Sequence, residues 1–185
     1  MKLQLVLARF REDVSWLQTS ECIYDYVIYN KGDYIRNAIP IPEKGREAYS
    51  YLQHIVRNYN YMAEHTAFIQ GDPFPHCSDL YQRLAVCKGF DYCPLGSIAE
   101  EPNVNEVKKF YDTLFIGDDA IVKFSAGEQF VASRAAIQYR PHDFYKKLLY
   151  SYDFLTNELQ DHYSGIIERL WMTIFDPKIP LREIN

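Results

Sequence analysis

The feature that most constrains this chain is its opening alternation of buried-type strands with helical segments. Leu3–Ala8 is an apolar run broken only by Gln4, the pattern of a strand covered on both faces, as in a parallel sheet. Ile23–Tyr29 is rich in β-branched and aromatic residues and stops at the turn signal Asn30-Lys31-Gly32, which predicts a second strand. Glu12–Leu17 leaves room between them for one or two helical turns, and 33–44, with Pro40 and Pro42, reads as a loop. From Gly45 onward Ala48, Tyr51, Leu52, Ile55, Val56 and Tyr59 recur at helical spacing and define one apolar face. Thr66–Gln70 is a third strand, closed by Gly71-Asp72-Pro73.

Beyond it the pattern predicts a helix over Ser78–Lys88, a surface loop over 89–103 and a helix over Glu106–Leu114. Short strands follow at Ile121–Phe124 and Gln129–Ala132, around Gly127, then closing helices at Phe144–Tyr150 and Ser164–Phe175. Strands alternating with helices imply an α/β fold with a mixed, mostly parallel sheet flanked by helices. The 185 residues contain no internal repeat, low-complexity tract or linker, so 1–185 is expected to be one domain.

Charge and cysteine usage exclude several classes. With 20 Lys+Arg against 25 Asp+Glu, the chain lacks the basic footprint of a nucleic-acid binder. No stretch approaches the ~18 apolar residues of a transmembrane segment. The N-terminal run is short and lacks a small-residue cleavage site, so a cytoplasmic protein is expected. Cys22, Cys77, Cys87 and Cys93 form no C-x-x-C pair, and reduced thiols are the expectation.

In open α/β sheets ligands bind beyond the carboxyl ends of the strands. The first strand delivers Arg9, Arg11, Glu12 and Asp13 there, the second Asn30 and Lys31, and the third Gln70 and Asp72. Gly45-Arg46-Glu47 adds a cation at the positive end of the long helix, a setting suited to a diphosphate. Each of these residues taken alone reads equally as a solvated surface group. Gly127–Arg134 can line a substrate cleft or be a plain edge strand. Glu168 falls at the border of the stripe Ile166, Ile167, Leu170, Trp171, Ile174 and Phe175, with Arg169 pointing away. A carboxyl at an apolar border can act as a base near neutral pH, or simply pair with a nearby cation. Asp72, His76 and Asp79 have a spacing that could hold a divalent metal and support a hydrolase. Asp118-Asp119 reads as a solvated turn. No P-loop, G-x-S-x-G, H-E-x-x-H or kinase signature is present.

Several segments occur in order: Ala8–Leu17 (Ala-Arg-Phe-Arg-Glu-Asp-Val-Ser-Trp-Leu), Ile28–Gly32, Gly45–Ile55, Phe68–Phe74, Gly127–Arg134 and Glu168-Arg169-Leu170-Trp171. Together they resemble a family of microbial and fungal proteins related to GT-A glycosyltransferases, and the likeness spans nearly the whole chain. The resemblance implies a Rossmann-like GT-A domain, a nucleotide-sugar donor, a glycan or other hydroxyl acceptor and inverting transfer, as in polysaccharide biosynthesis. It implies donor contacts at Arg9, Glu12, Asn30, Lys31, Arg46, Gln70 and Asp72. Acceptor contacts would come from Gln129, Phe130, Arg134 and Trp171, with Glu168 as the base and Asp161 or Glu128 next in line. Such enzymes usually carry Asp-x-Asp for a metal on the diphosphate. Here Gln70-Gly71-Asp72 leaves only Asp72 as a candidate ligand for Mn or Mg, and Lys31, Arg9 and Arg46 could hold the diphosphate instead. A non-catalytic nucleotide- or carbohydrate-binding module is the remaining alternative.

Overall fold

In the computed structural model, which describes residues 2–102, 105–117 and 121–182, alternate residues of the first strand enter two separate cores. Leu3, Leu5 and Leu7 of β1 (Leu3–Arg9) join one core, while Val6 and Ala8 join the other. That double burial is why the run carries no polar alternation. A short 3₁₀ turn at Ser15–Gln18 leads to β2 (Asp25–Asn30), β3 (Ile39–Pro40), α1 (Glu47–Asn58) and β4 (His65–Gln70). Then come α2 (Leu80–Cys87), β5 (Tyr92–Pro94), β6 (Ile98–Pro102), α3 (Asn105–Leu114), β7 (Ile121–Ser125) and β8 (Phe130–Ser133). The chain closes with α4 (Arg134–Tyr139), α5 (His142–Ser151) and α6 (Asn157–Ile174).

Six strands form one sheet in the order β3-β2-β1-β4-β8-β5. The β1–β2, β1–β4 and β2–β3 pairs are parallel, and β8 runs antiparallel to both β4 and β5. The mixed, mostly parallel sheet expected from the alternation is thus present. β6 and β7 pair separately as an antiparallel ribbon on which α6 packs. On one face of the sheet, α1, α5 and α6 enclose a core built on Tyr51, Phe68, Phe130, Trp171 and Phe175. On the other, Leu80 and Leu84 of α2 pack with Leu17 and Leu95. Tyr29, Tyr51, Tyr111, Tyr145 and Tyr152 are fully buried, so much of the tyrosine content builds the core.

The structure corrects four expectations. The stretch 89–103 carries both β5 and β6 rather than a plain loop, and 33–44 contains β3. Those strands are short and interrupted by Gly and Pro, so they exist only through their sheet partners. α4 was not anticipated; Ser133 starts it, its Oγ accepting from the Ala136 amide at 3.0 Å. Cys87 and Cys93 form a disulfide, while Cys22 and Cys77 are free. The Asp118-Asp119 pair lies outside the described residues. Among the described residues no helix is long and apolar enough to cross a membrane.

Candidate functional site

The chain runs outward through β1, β2 and β3, then crosses back over β1 to β4, so the sheet has its switch point between β1 and β4. A cleft of about 200 Å³ opens there, lined by Ala8, Arg9, Phe10, Glu12, Lys31, Glu43, Gly45, Arg46, Glu47 and Ser50. These are the carboxyl end of β1, the residue after β2 and the amino end of α1. The structure therefore gathers Arg9, Glu12, Lys31 and Arg46 as the strand-end rule anticipates.

Their commitments differ. Arg9 is 5% exposed. Its Nη1 donates to Asn30 Oδ1 at 2.7 Å, its Nε to Glu12 O at 2.9 Å, and it pairs with Asp33 at 3.0 Å. Asn30 in turn donates to Asp33 O at 2.7 Å. Glu12 Oε2 accepts from the Phe10 amide at 2.7 Å and the Arg11 amide at 3.2 Å. These three residues brace the loop after β1. Lys31 Nζ donates to the carbonyls of Gly45, at 2.9 Å, and Arg46. Burial pushes its ammonium down to about 8, against the opposing pull of Glu47 and Glu128. Lys31 thus ties β2 to the entry of α1 and still brings charge to the cleft.

Arg46, by contrast, has a side chain that is 52% exposed, with Nε 3.7 Å from Glu47 Oε2. Glu47 Oε1 accepts from Gln70 Nε2 at 2.8 Å, which links α1 to the end of β4. Ser50 Oγ, one turn into α1, is buried on the cleft wall with no hydrogen-bond partner. Ser50 and Glu47 were not singled out from the sequence. Their i, i+3 spacing from the helix start was the available signal.

A second acidic element meets this wall. Because β8 runs antiparallel to β4, its approach Gly127–Gln129 arrives at the carboxyl end of β4. Glu128 is 2% exposed and sits at φ +59°, a conformation uncommon outside glycine. Its Oε1 accepts from Trp171 Nε1 at 2.8 Å. Burial, together with the negative charges of Glu47 and Glu168, pushes its carboxyl well above the usual carboxylate range, and the Trp171 bond opposes this. On α6, Ser164 Oγ accepts from the Arg46 amide at 3.0 Å, and Glu168 lies one turn further along the same face. Glu168 is half-buried. Burial raises its pKa, and the charges of Arg46 and Arg169 pull it down. It stands behind the lining residues, within electrostatic range of Arg46 and Glu47. Arg169 points away, as its position on the helix requires, and pairs with Glu101 at 2.7 Å.

The remaining expected residues are placed elsewhere. Gln129, Phe130 and Trp171 are buried in the core, with Phe130 and Trp171 ring centroids 5.3 Å apart, and offer no surface to an acceptor. Arg134 starts α4 and donates its amide to Glu64 O at 3.0 Å, before the opening residue of β4 and so at the opposite end of the sheet. Asp72 is exposed in a neighbouring pocket with Glu12, Asp13 and Phe74. Asp79 pairs with Arg83 at 2.8 Å, and His76 packs on Gly127, so Asp72, His76 and Asp79 are not brought together. Among the described residues no group of three or more His, Cys, Asp and Glu could hold a metal ion. Asp72 alone does not fit one, because its neighbour Glu12 is turned to backbone amides.

Compared with known proteins, the chain matches one family model over residues 5–91 and 75–180, described as "Protein of unknown function (DUF3431)". No curated protein and no solved structure matches.

Proposed function

The chain belongs to the DUF3431 family, whose description assigns no function; from the geometry of the cleft we propose that it is a glycosyltransferase of GT-A-like build, moving a sugar from a nucleotide-sugar donor to a hydroxyl acceptor such as a glycan. The observation that carries this reading is the junction of α1 with α6 at the switch-point cleft. The Arg46 amide is bonded to Ser164 Oγ at 3.0 Å, and Glu168 follows one turn along α6. The end of α1 that carries the half-exposed cation is therefore tied to the helix that carries the half-sheltered carboxyl. That pairing is what a displacement at an anomeric carbon needs.

The donor diphosphate would lie over the amino end of α1. There Arg46 and the first-turn amides would face it. Lys31 fixes that end of the helix and supplies further positive charge. The acceptor oxygen bonds to the anomeric carbon as the bond to the diphosphate oxygen breaks, which inverts the centre. The hydroxyl proton passes to Glu168, and the new charge on the diphosphate is met by Arg46.

A thermal-shift panel of UDP, GDP, CMP and dTDP sugars, with and without Mn²⁺, tests the reading. Binding of one donor raises the melting temperature by mass action. Glu168→Gln then retains that shift and loses transfer by about 10²–10⁴-fold. A protein whose melting temperature responds to none of these donors is not this transferase. Transfer that survives in Glu168→Gln assigns the proton to another group.

A further inference from the structure

The turn that carries Glu128 is gripped by two segments whose other ends are joined covalently. Gln129 Nε2 donates to Pro73 O at 3.1 Å, and the Leu95 amide donates to Gln129 O at 2.9 Å. One residue is therefore held from two sides. The Gly96 amide donates to Ser125 Oγ at 3.1 Å, and that hydroxyl donates to Gln129 O at 2.8 Å. The Ala126 amide donates to Ser97 O at 2.9 Å. His76 covers Gly127 so closely that a Cβ there would come within 2.6 Å of its Cγ.

Pro73 and His76 belong to the segment that leads into α2, which ends at Cys87. Leu95 and Gly96 follow β5, whose central residue is Cys93. The Cys87–Cys93 disulfide joins these two elements. The path from Pro73 through α2, across the disulfide and on to Leu95 is thus a closed loop around the turn. Within that loop Glu128 keeps its φ of +59°, a conformation that persists only when its surroundings over-determine it.

We propose that Cys87–Cys93 is a thiol–disulfide exchange site for a dithiol reductant, and that its state decides whether the 125–129 turn holds Glu128 against Trp171. Cys93 is the more exposed of the two residues and Cys87 is buried. One thiolate of the reductant attacks Cys93 Sγ, and Cys87 Sγ leaves and takes a proton. The second thiol of the reductant closes on the first, frees Cys93 as a thiol and leaves the reductant as its own disulfide. Two electrons and two protons pass to the protein. Burial pushes the free Cys77 thiol up to about 11, so it does not compete as a nucleophile. This inference stands independently of the transferase reading.

The test is hydrogen exchange by mass spectrometry on the full chain, with and without dithiothreitol, alongside alkylation to count thiols. Alkylated after transfer into denaturant, the untreated protein should be labelled at Cys22 and Cys77 only, and the treated protein at all four cysteines. On reduction, amides over 93–97 and 126–131 should exchange faster by about tenfold or more, while β1 and α1 keep their rates. The double variant Cys87→Ser/Cys93→Ser should show the fast pattern and ignore dithiothreitol. If that variant fails to fold, reduction of the folded wild type decides alone. Four reactive thiols before reduction would overturn the proposal. So would unchanged exchange at 126–131 after reduction, or equal acceleration in β1 and α1.

Discussion

Trp171 Nε1 donates to Glu128 Oε1 at 2.8 Å across 43 positions of sequence, joining the core face of α6 to the strained turn before β8. The bond satisfies the indole in a water-excluded place and leaves the acid with a neutral donor as its partner. Burial and two further carboxyl side chains disfavour its ionised form, against the Trp171 bond.

That raised pKa sets a pH dependence of stability. The folded-state pKa of Glu128 is raised above the unfolded value of about 4.3. Its stabilising contribution is complete below that value and is lost as pH rises through the folded pKa. Glu128→Gln keeps an acceptor for Trp171 and cannot ionise. Its melting temperature should match wild type near pH 4 and exceed it increasingly toward pH 9. Parallel melting curves across that range would show that Glu128 is already ionised in the fold.

Lys31 titrates within reach of ordinary buffers, at about 8. Below that pH the cleft carries its positive charge, and above it the charge is lost. Affinity for inorganic pyrophosphate, measured by calorimetry, should therefore fall between pH 7 and pH 9 in the wild type. Lys31→Arg, whose guanidinium stays charged, should remove that fall even if its absolute affinity is lower. A pyrophosphate affinity that declines identically in both proteins would place the titrating group elsewhere.

Gly45 permits the close approach of α1 to α6. It sits at φ +52°, and a Cβ there would come within 2.4 Å of Tyr152 Cε1 and 2.7 Å of Ser164 Oγ. Gly45→Ala should cost about 1–3 kcal/mol, from backbone strain and overpacking together. Chemical denaturation reads this cost directly. A variant as stable as wild type would mean that the helices yield without penalty.

Arg140 is 1% exposed and closes the carboxyl end of α6. Its Nε donates to Ile174 O at 2.7 Å, and its Nη2 donates to Thr173 O at 3.1 Å and Asp176 O at 2.9 Å. A cation at this helix end satisfies orphan carbonyls and opposes the helix dipole. Arg140→Met should destabilise the fold by about 2–4 kcal/mol, since buried carbonyls lose charged donors. The measurement is again a denaturation midpoint, and a shift within error would show that other groups or water replace the guanidinium.

Local chemistry was enough to identify the strands β1, β2 and β4, the helix α1 and the edge of the sheet where a ligand would bind. Apolar runs and the spacing of Ala48, Tyr51, Leu52 and Ile55 are properties of adjacent residues, and they demand burial wherever the chain goes. Arg9, Lys31 and Arg46 could be brought to one edge because parallel strands end on the same side. Which of them is already engaged could not be read that way. Apart from the nearby Phe10 and Glu12 carbonyls that Arg9 also meets, the partners of Arg9 and Lys31 lie 14 to 24 positions away. The burial of Glu128 and the short strands β5 and β6 also rest on partners distant in the chain, whereas Cys87 and Cys93 are 6 positions apart and are paired by how α2 meets β5. A Gly-Glu pair reads as an exposed turn until an antiparallel strand and the last helix enclose it. Desolvation and charge proximity are sums over neighbours in space, and only the folded chain supplies those neighbours.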